Sequence, residues 1–309
     1  MKVHLENSGL QFRNAVVTLG TFDGVHLGHR AVLTHLKNKA VEIGGESVAI
    51  TFSQHPRDFL AEGKTSVQLL NTFDEKVALI GELGIDNLVV LGFDRDLSLM
   101  GPCEFVEKIL AGNIGAKHIV MGFNHHFGRK GAGDYETIKG CAGQFGLSVE
   151  LIGEITTSSI SISSSSIRDA ILEGRVEDAG KMLGYSYNFS GRVVVGRKLG
   201  RTIGFPTINI DPSSKEKIIP AKGVYAVSIL TGGRKYKGMM NIGNNPTVDA
   251  DNRKLSVEVN IFDFSGDIYG EEVRVFTQFR LRDEKVFGNL TELTVQLEKD
   301  KMKALELLS

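Results

Sequence analysis

Val16-Val17-Thr18-Leu19-Gly20-Thr21-Phe22-Asp23-Gly24-Val25-His26-Leu27-Gly28-His29 runs from an unbroken apolar stretch, through closely spaced glycines, into a helix-like pattern. Beyond it Val32, Leu33, Leu36, Ala40 and Ile43 recur at helical spacing, and Gly44-Gly45 ends the run. A strand that turns on glycines straight into a helix opens a parallel α/β unit. The free N–H groups and dipole at such a helix start attract anions. Gly20, Gly24 and Gly28 let backbone approach a ligand closely. His26 and His29, three positions apart, are expected to share one side of the first turn. Two imidazoles there could donate to nucleotide phosphates and stabilise charge on a departing pyrophosphate. Taken singly these residues are ordinary turn glycines and surface histidines; the combination carries the reading.

The same rhythm continues to about residue 184. Apolar runs at 15–19, 47–52, 88–91, 118–121 and 147–152 alternate with helical stretches near 73–83, 103–112, 134–145 and 164–173. Continuous apolar strands separated by helices predict a Rossmann-like α/β domain over 1–184, its parallel sheet covered on both faces. Such sheets bind ligands at the carboxyl ends of their strands. After that point the period becomes two. Leu255, Val257, Val259 and Ile261 alternate with Ser256, Glu258 and Asn260, and Tyr225, Val227 and Ile229 behave alike. Residues 192–195 and 272–279 also read as extended, with turns at Thr231-Gly232-Gly233, Gly243-Asn244-Asn245-Pro246 and Ser265-Gly266-Asp267. A small antiparallel β-barrel over 185–309, closed by a terminal helix from about Asn289, is expected.

Composition bounds the function. The 309 residues are 41% hydrophobic and 24% charged, which fits two folded domains and excludes a disordered chain. Lys and Arg total 36 against 37 Asp and Glu, a formal net charge of −1, which argues against a polyanion-coating protein. No apolar run approaches the ~18 residues of a membrane span, and the first residues lack the apolar core of a secretory signal. Cys103 and Cys141 stand in no partner motif; a disulfide between them stays open but is poorly motivated, and two reduced, inert thiols are expected. A cytoplasmic protein with neither nucleic-acid nor membrane partners is expected, its oligomeric state left open.

The pattern Gly-x-Phe-Asp-Gly-x-His-x-Gly-His resembles the nucleotidyltransferase superfamily, and in detail the bacterial FAD synthetases. Ile162-Ser163-Ser164-Ser165-Ser166-Ile167-Arg168 is similar to that family's second nucleotide motif, although a serine run alone also reads as a capped linker. The resemblance implies His26, His29 and Arg168 as catalytic residues and Gly20, Phe22, Asp23, Gly28, Asn124 and Ser164 as nucleotide-binding. It implies His55 and Pro56, in Thr51-Phe52-Ser53-Gln54-His55-Pro56, and Phe127 as flavin-facing. The family commonly has Asp-Phe-Arg-Phe-Gly where this chain has Asn124-His125-His126-Phe127-Gly128, a departure that removes a carboxylate and an arginine. No carboxylate or cysteine is spaced to make His125 and His126 metal ligands.

In the second half, Gly191, Gly196, Gly200 and Gly204 precede Phe205-Pro206-Thr207-Ile208-Asn209. A strand followed by a glycine-rich basic loop can wrap phosphates with backbone N–H groups. Thr207 and Asn209, two apart in an extended chain, share a face and offer the oxygens Mg²⁺ prefers. The period of two turns Glu258 away from the apolar face, where a carboxylate could take the proton of a substrate hydroxyl. Such a glutamate is otherwise an ordinary solvated strand residue. Gly223-Val224-Tyr225, Met240-Asn241-Ile242-Gly243 and Val257-Glu258-Val259-Asn260-Ile261-Phe262-Asp263-Phe264 complete a resemblance to riboflavin kinases. It implies Glu258 as the base, Thr207 and Asn209 as Mg²⁺ ligands, and Gly196, Gly200, Gly204 and Pro206 as nucleotide-binding. Arg282, within Arg280-Leu281-Arg282-Asp283-Glu284-Lys285, would lie on the flavin side. Where the family often has His, this chain has Asn260.

Together the motifs resemble, in order and over nearly the whole chain, the bifunctional bacterial riboflavin kinase/FAD synthetase family. The resemblance implies riboflavin, FMN, FAD and ATP as partners and Mg²⁺ as cofactor. Two rivals stay open: a monofunctional riboflavin kinase whose N-terminal centre is impaired, and a non-catalytic flavin-sensing regulator on the same fold.

Overall fold

All five residues of β2 (Ala15–Leu19) are buried. The strand lies inside a six-stranded parallel sheet ordered β1 (Lys2–His4), β4 (Asn87–Leu91), β3 (Ser47–Phe52), β2, β5 (Ala116–Gly122), β6 (Ser148–Ile152). The computed structural model describes every residue except 6–8, 57–58, 60–66, 124–127, 129–131, 158–159, 197–198 and 245–254. It divides into two units, Met1–Ser164 and Ser165–Ser309.

In the first unit the pleat sorts the apolar residues to two faces. Ala15, Val17, Leu19, Val48, Ile50, Val89 and Leu91 form one core with Phe105, Ile109, Leu110, Ile138 and Ala142. Val16, Ala49, Leu88 and Val90 form the other with Leu33, Leu36, Ala40 and Ile80. The second face is covered by α1 (Leu27–Glu42) and α2 (Phe73–Glu82). Short α3 (Arg95–Leu99) leads to α4 (Pro102–Phe105), which continues as a π-helical stretch over Val106–Asn113 and, with α5 (Tyr135–Gln144), covers the first face. A small ribbon of β7 (Thr156–Thr157) and β8 (Ile160–Ser161) follows the sheet. Strand order reverses at β2, whose neighbours are β3 on one side and β5 on the other. The crevice beyond its carboxyl end is therefore a topological switch point.

The second unit is a closed barrel of β9 (Asn188–Val194), β10 (Ile208–Pro212), β11 (Gly223–Thr231), β12 (Arg234–Asn244), β13 (Leu255–Ile261) and β14 (Glu272–Arg282). Tyr225, Val227, Ile229, Met240, Val257, Val259 and Val275 fill its interior. On the alternate positions Val224, Ala226 and Met239 meet Leu297, Ala304 and Leu305 of the terminal helix. Preceding the barrel are α6 (Ser164–Leu172) and α7 (Val176–Leu183); α8 (Leu199–Thr202) lies in the glycine loop and α9 (Leu290–Leu307) ends the chain, capped by Asn289.

The units meet at Ser164/Ser165, ahead of the 184/185 division expected from sequence. The reason is that α6 and α7 are fastened to the barrel. The Ala221 N–H donates to the Ile171 carbonyl at 3.1 Å, Val176 joins the barrel core, and the Arg280 N–H donates to the Glu177 carboxylate at 3.0 Å. The sequence reading missed α7, although Val176, Ala179, Met182 and Leu183 carry a helical period. It also missed β1, whose three residues are too few for a pattern.

One expectation is corrected. Cys103 and Cys141 are joined as a disulfide, Cα atoms 5.1 Å apart, rather than standing as two thiols. They lie far apart in the sequence, and the packing of α4 on α5 brings them together. Thiol titration of the unfolded, unreduced protein should find no free thiol. In chain-entropy terms a bridge across 38 positions is worth up to about 4 kcal/mol, so a reductant should lower the urea midpoint of the first unit.

Candidate active sites

Between β2 and α1 the backbone is forced into unusual conformations. Phe22 (φ 47°), Gly24 (φ 86°) and Val25 (φ 34°) all lie in the left-handed region. Val25 is β-branched and buried, so the surrounding fold holds this loop against its own preference. The turn presents His26 as the N-cap of α1, its Nδ1 accepting the His29 N–H at 3.3 Å. An acceptor at Nδ1 assigns the ring proton to Nε2, so neutral His26 remains a donor. The two imidazoles stack with centroids 3.6 Å apart and planes at 17°, and the Phe22 ring meets His29 edge-on at 5.4 Å. A Cβ on Gly28 would stand 3.2 Å from the His26 ring, and one on Gly20 would press on Phe22. Both glycines make room for the histidine assembly itself.

Burial pulls the His26 pKa down to about 4, against the opposing attraction of the Asp23 carboxylate. The Asp23 carboxylate accepts the Leu70 and Asn71 N–H groups at 2.9 and 3.2 Å, and its carbonyl accepts the Ser164 hydroxyl at 2.8 Å. Ser164 is thus bonded to the loop that presents His26. Arg168 lies one turn further along α6. At the carboxyl end of neighbouring β3, His55 and Pro56 occupy the same edge of the sheet as His26. Gly128 follows β5 and packs on Pro102, while Asn124 and Phe127 lie outside the described residues.

In the barrel, register builds the second site. Asn209 on β10, Glu258 on β13 and Asn241 on β12 are directly opposed across three adjacent strands, so all three share the outer face. Thr207 donates to Glu258 Oε2 at 3.4 Å and Ser256 to Oε1 at 3.5 Å. These long contacts leave the carboxylate with acceptor capacity for a stronger donor. Asn260 is buried, its amide donating to the Pro206 carbonyl at 2.7 Å, so it steadies the Pro-Thr-x-Asn segment. Gly200 carries the glycine loop: a Cβ there would collide with the Phe205 carbonyl. Gly196 lies against the Asn209 side chain, and Gly204 turns the chain with φ 82°. A cleft beside Thr207 is lined by Arg201, Pro206, Phe264 and Tyr269. Sequence reasoning assigned no role to Asn241 or to the 264–269 loop; strand pairing brings in the first and the lining of the cleft the second. Arg282 is engaged with buried Asp300, its Nη2 and Nε donating at 2.7 and 3.0 Å, which braces the terminal helix.

A parallel sheet with a histidine-capped anion corner at its switch point, together with a barrel bearing a Thr-Asn-Glu row beside a glycine loop, defines an ATP-using transferase with two centres. The FAD synthetase family model matches residues 10–166 and the riboflavin kinase model residues 183–308. A bifunctional riboflavin kinase/FMN adenylyltransferase from Listeria monocytogenes is 40% identical over 288 residues, 93% of this chain and 90% of that protein. The enzyme of that name from Bacillus subtilis is 37% identical over 300 residues, 96% and 93% of the two chains. A crystal structure of a chain described as a macrolide-efflux protein from Streptococcus pneumoniae has TM-score 0.85 and 34% identity, covering 94% of this chain and 93% of that one. Among the described residues here, no helix is long and apolar enough to cross a membrane. The chain belongs to the bifunctional riboflavin kinase/FMN adenylyltransferase family.

The low pKa of His26 has a sign that can be measured. In an unfolded chain the residue would protonate near 6.5, whereas folded it stays neutral down to about 4. Its contribution is therefore complete above 6.5 and is lost as pH falls toward 4, about 3 kcal/mol in all. Chemical denaturation across this window should show that loss in the wild type and much less of it in His26→Gln.

Proposed function

We infer that each half of the chain performs one of the family's two reactions, the barrel making FMN and the α/β domain converting it to FAD. The observation that carries this is the coexistence of two complete arrangements, the stacked His26/His29 pair on an anion-attracting helix start and the Asn209–Glu258–Asn241 row. One family model matches each half, residues 10–166 and 183–308, which supports one reaction in 1–184 and one in 185–309, with the helices over 165–184 fastened to the barrel.

In the kinase half, Glu258 accepts the proton of the terminal ribityl hydroxyl of riboflavin as that oxygen attacks the γ-phosphorus of ATP. The new P–O bond replaces the β–γ bond, and ADP leaves. The weak contacts from Thr207 and Ser256 orient the carboxylate without using up its acceptor capacity. Gly196, Gly200, Gly204 and Pro206 shape the loop that takes the nucleotide, and the segment around Arg282 faces the flavin. The Thr207 hydroxyl and the Asn209 amide oxygen, with Glu258 in reach, form an all-oxygen set that suits Mg²⁺ carried in on nucleotide phosphates. When bound, the ion neutralises phosphate charge.

In the adenylyltransferase half, a phosphate oxygen of FMN attacks the α-phosphorus of ATP. The α–β bond breaks and pyrophosphate leaves. His26 Nε2–H, His29 and the N–H groups of α1 donate to the charge that develops on it, with Arg168 further along the helix that Ser164 begins. Gly20, Phe22, Asp23, Gly28 and Asn124 shape the nucleotide side, and His55, Pro56 and Phe127 the flavin side. The phosphate of FMN is itself the nucleophile, so positioning and electrostatics suffice. The reading includes a cytoplasmic enzyme acting on small molecules. It is supported by the net charge of −1, which favours neither a nucleic acid nor an anionic membrane.

Incubating the full chain with riboflavin, ATP and Mg²⁺ and separating the flavins over time tests both steps. Glu258→Ala should reduce FMN formation by about 10²–10⁴-fold yet leave conversion of supplied FMN to FAD near wild type. His29→Ala should do the reverse, and chelation of Mg²⁺ should stop both. Loss of both activities in folded Glu258→Ala would refute the two-centre assignment, and wild-type chain that forms FMN but no FAD would leave a kinase alone.

A further inference from the structure

Lys76 follows directly on the capping box of α2, in which Thr72 and Glu75 bond reciprocally, and its own N–H donates to the Thr72 carbonyl at 3.0 Å. Just upstream, the Leu70 and Asn71 N–H groups are held by Asp23, so the start of α2 is tied to the loop between β2 and α1. This brings the Lys76 ammonium to the carboxyl ends of β2 and β3. It donates there to Thr51 Oγ1 at 3.5 Å, and Thr51 donates on to the Thr21 carbonyl at 3.3 Å. A hydrogen-bonded line thus runs from the ammonium into the loop that presents His26.

Among the described residues the ammonium keeps donors to spare. An ammonium has three donors, and Lys76 makes one long side-chain hydrogen bond among the described residues. Burial pulls its pKa down, with the charge of Asp23 pulling the other way. Such donors bond a phosphate oxygen more strongly than neutral donors would. The neighbouring His26 is neutral at pH 7 and brings only a dipole. Two phosphate-bearing substrates that must meet in this corner repel each other, and a fixed positive charge beside them lowers that repulsion.

We propose that Lys76 is a substrate-binding residue of the adenylyltransferase centre, donating its ammonium to a phosphate oxygen of the reacting pair. The proposal rests on the assignment of that centre to His26 and His29. The ligand chemistry is a phosphate oxyanion, from either the monoester of FMN or the polyphosphate of ATP, and the two sources separate kinetically.

The test uses the full chain, with FMN and ATP varied in turn. Lys76→Met should lower kcat/KM for FAD formation by on the order of 10–100-fold, the worth of one charge-assisted hydrogen bond. A rise in KM for FMN alone would identify the monoester as the partner, and a rise for ATP alone the polyphosphate. Lys76→Arg, which keeps the charge, should recover most of the loss, and phosphorylation of riboflavin by the same preparations should be unchanged. Should Lys76→Met fail to fold, Lys76→Gln takes its place with the same expectation. Adenylyl transfer within twofold of wild type in a neutral variant would overturn the proposal, as would Lys76→Arg no better than Lys76→Met. His26→Ala, run alongside, separates the failures. If it abolishes FAD formation while the lysine variants do not, Lys76 alone is wrongly assigned; if neither matters, the centre itself is.

Discussion

Burial of the central strand on both faces is the constraint from which the first unit follows. A strand with no exposed face must have helices above and below it, and a parallel neighbour demands a crossover, so β2 must pass into α1 within a few residues. Phe22, Gly24 and Val25 absorb that reversal in left-handed conformations, and His26 is left at the helix cap with its ring against His29. The stacked histidine pair at the helix cap is thus the by-product of how the chain leaves a fully buried strand. The strain is confined to the loop that needs it, and Asp23 and Ser164 hold it in place.

The barrel solves a different problem with the same economy. Closure removes the strand edges, and the interior takes every second residue, so Asn209, Asn241 and Glu258 fall on the outer face of β10, β12 and β13. Where the terminal helix covers β11 and part of β12, the outer positions Val224, Ala226 and Met239 are apolar instead. Glu258 therefore sits on a rigid ladder between two asparagines. Its position depends on backbone pairing and little on the packing of its own side chain.

Much of both sites could be read directly from the chain. The glycine-rich turn, the histidine spacing, the alternation around Glu258 and the Thr207/Asn209 pair are all local, because a turn, a helix start and a period of two are determined within a few residues. Local pattern stops being informative where the deciding contact is distant in sequence. Cys103 and Cys141 meet through the packing of α4 on α5. Arg282 finds Asp300 on the terminal helix, and residues 165–184 side with the barrel through Ile171, Val176 and Glu177. Gly20 and Gly28 also make room for the rings of Phe22 and His26, which the sequence did not show.

What the sequence determined by itself was the kind of each half, since hydrophobic period is a property of consecutive residues and separates a buried parallel sheet from an alternating barrel. It also determined the chemical equipment of each. The tertiary structure alone decided which groups lie together: the stacking of His26 on His29, the row that sets Asn241 beside Glu258, and the contact of Lys76 with Thr51. The physical reason is range. Propensity and pattern act over a few residues, whereas register, capping and the low dielectric that lowers the His26 and Lys76 pKa values exist only once distant segments have excluded water from between them.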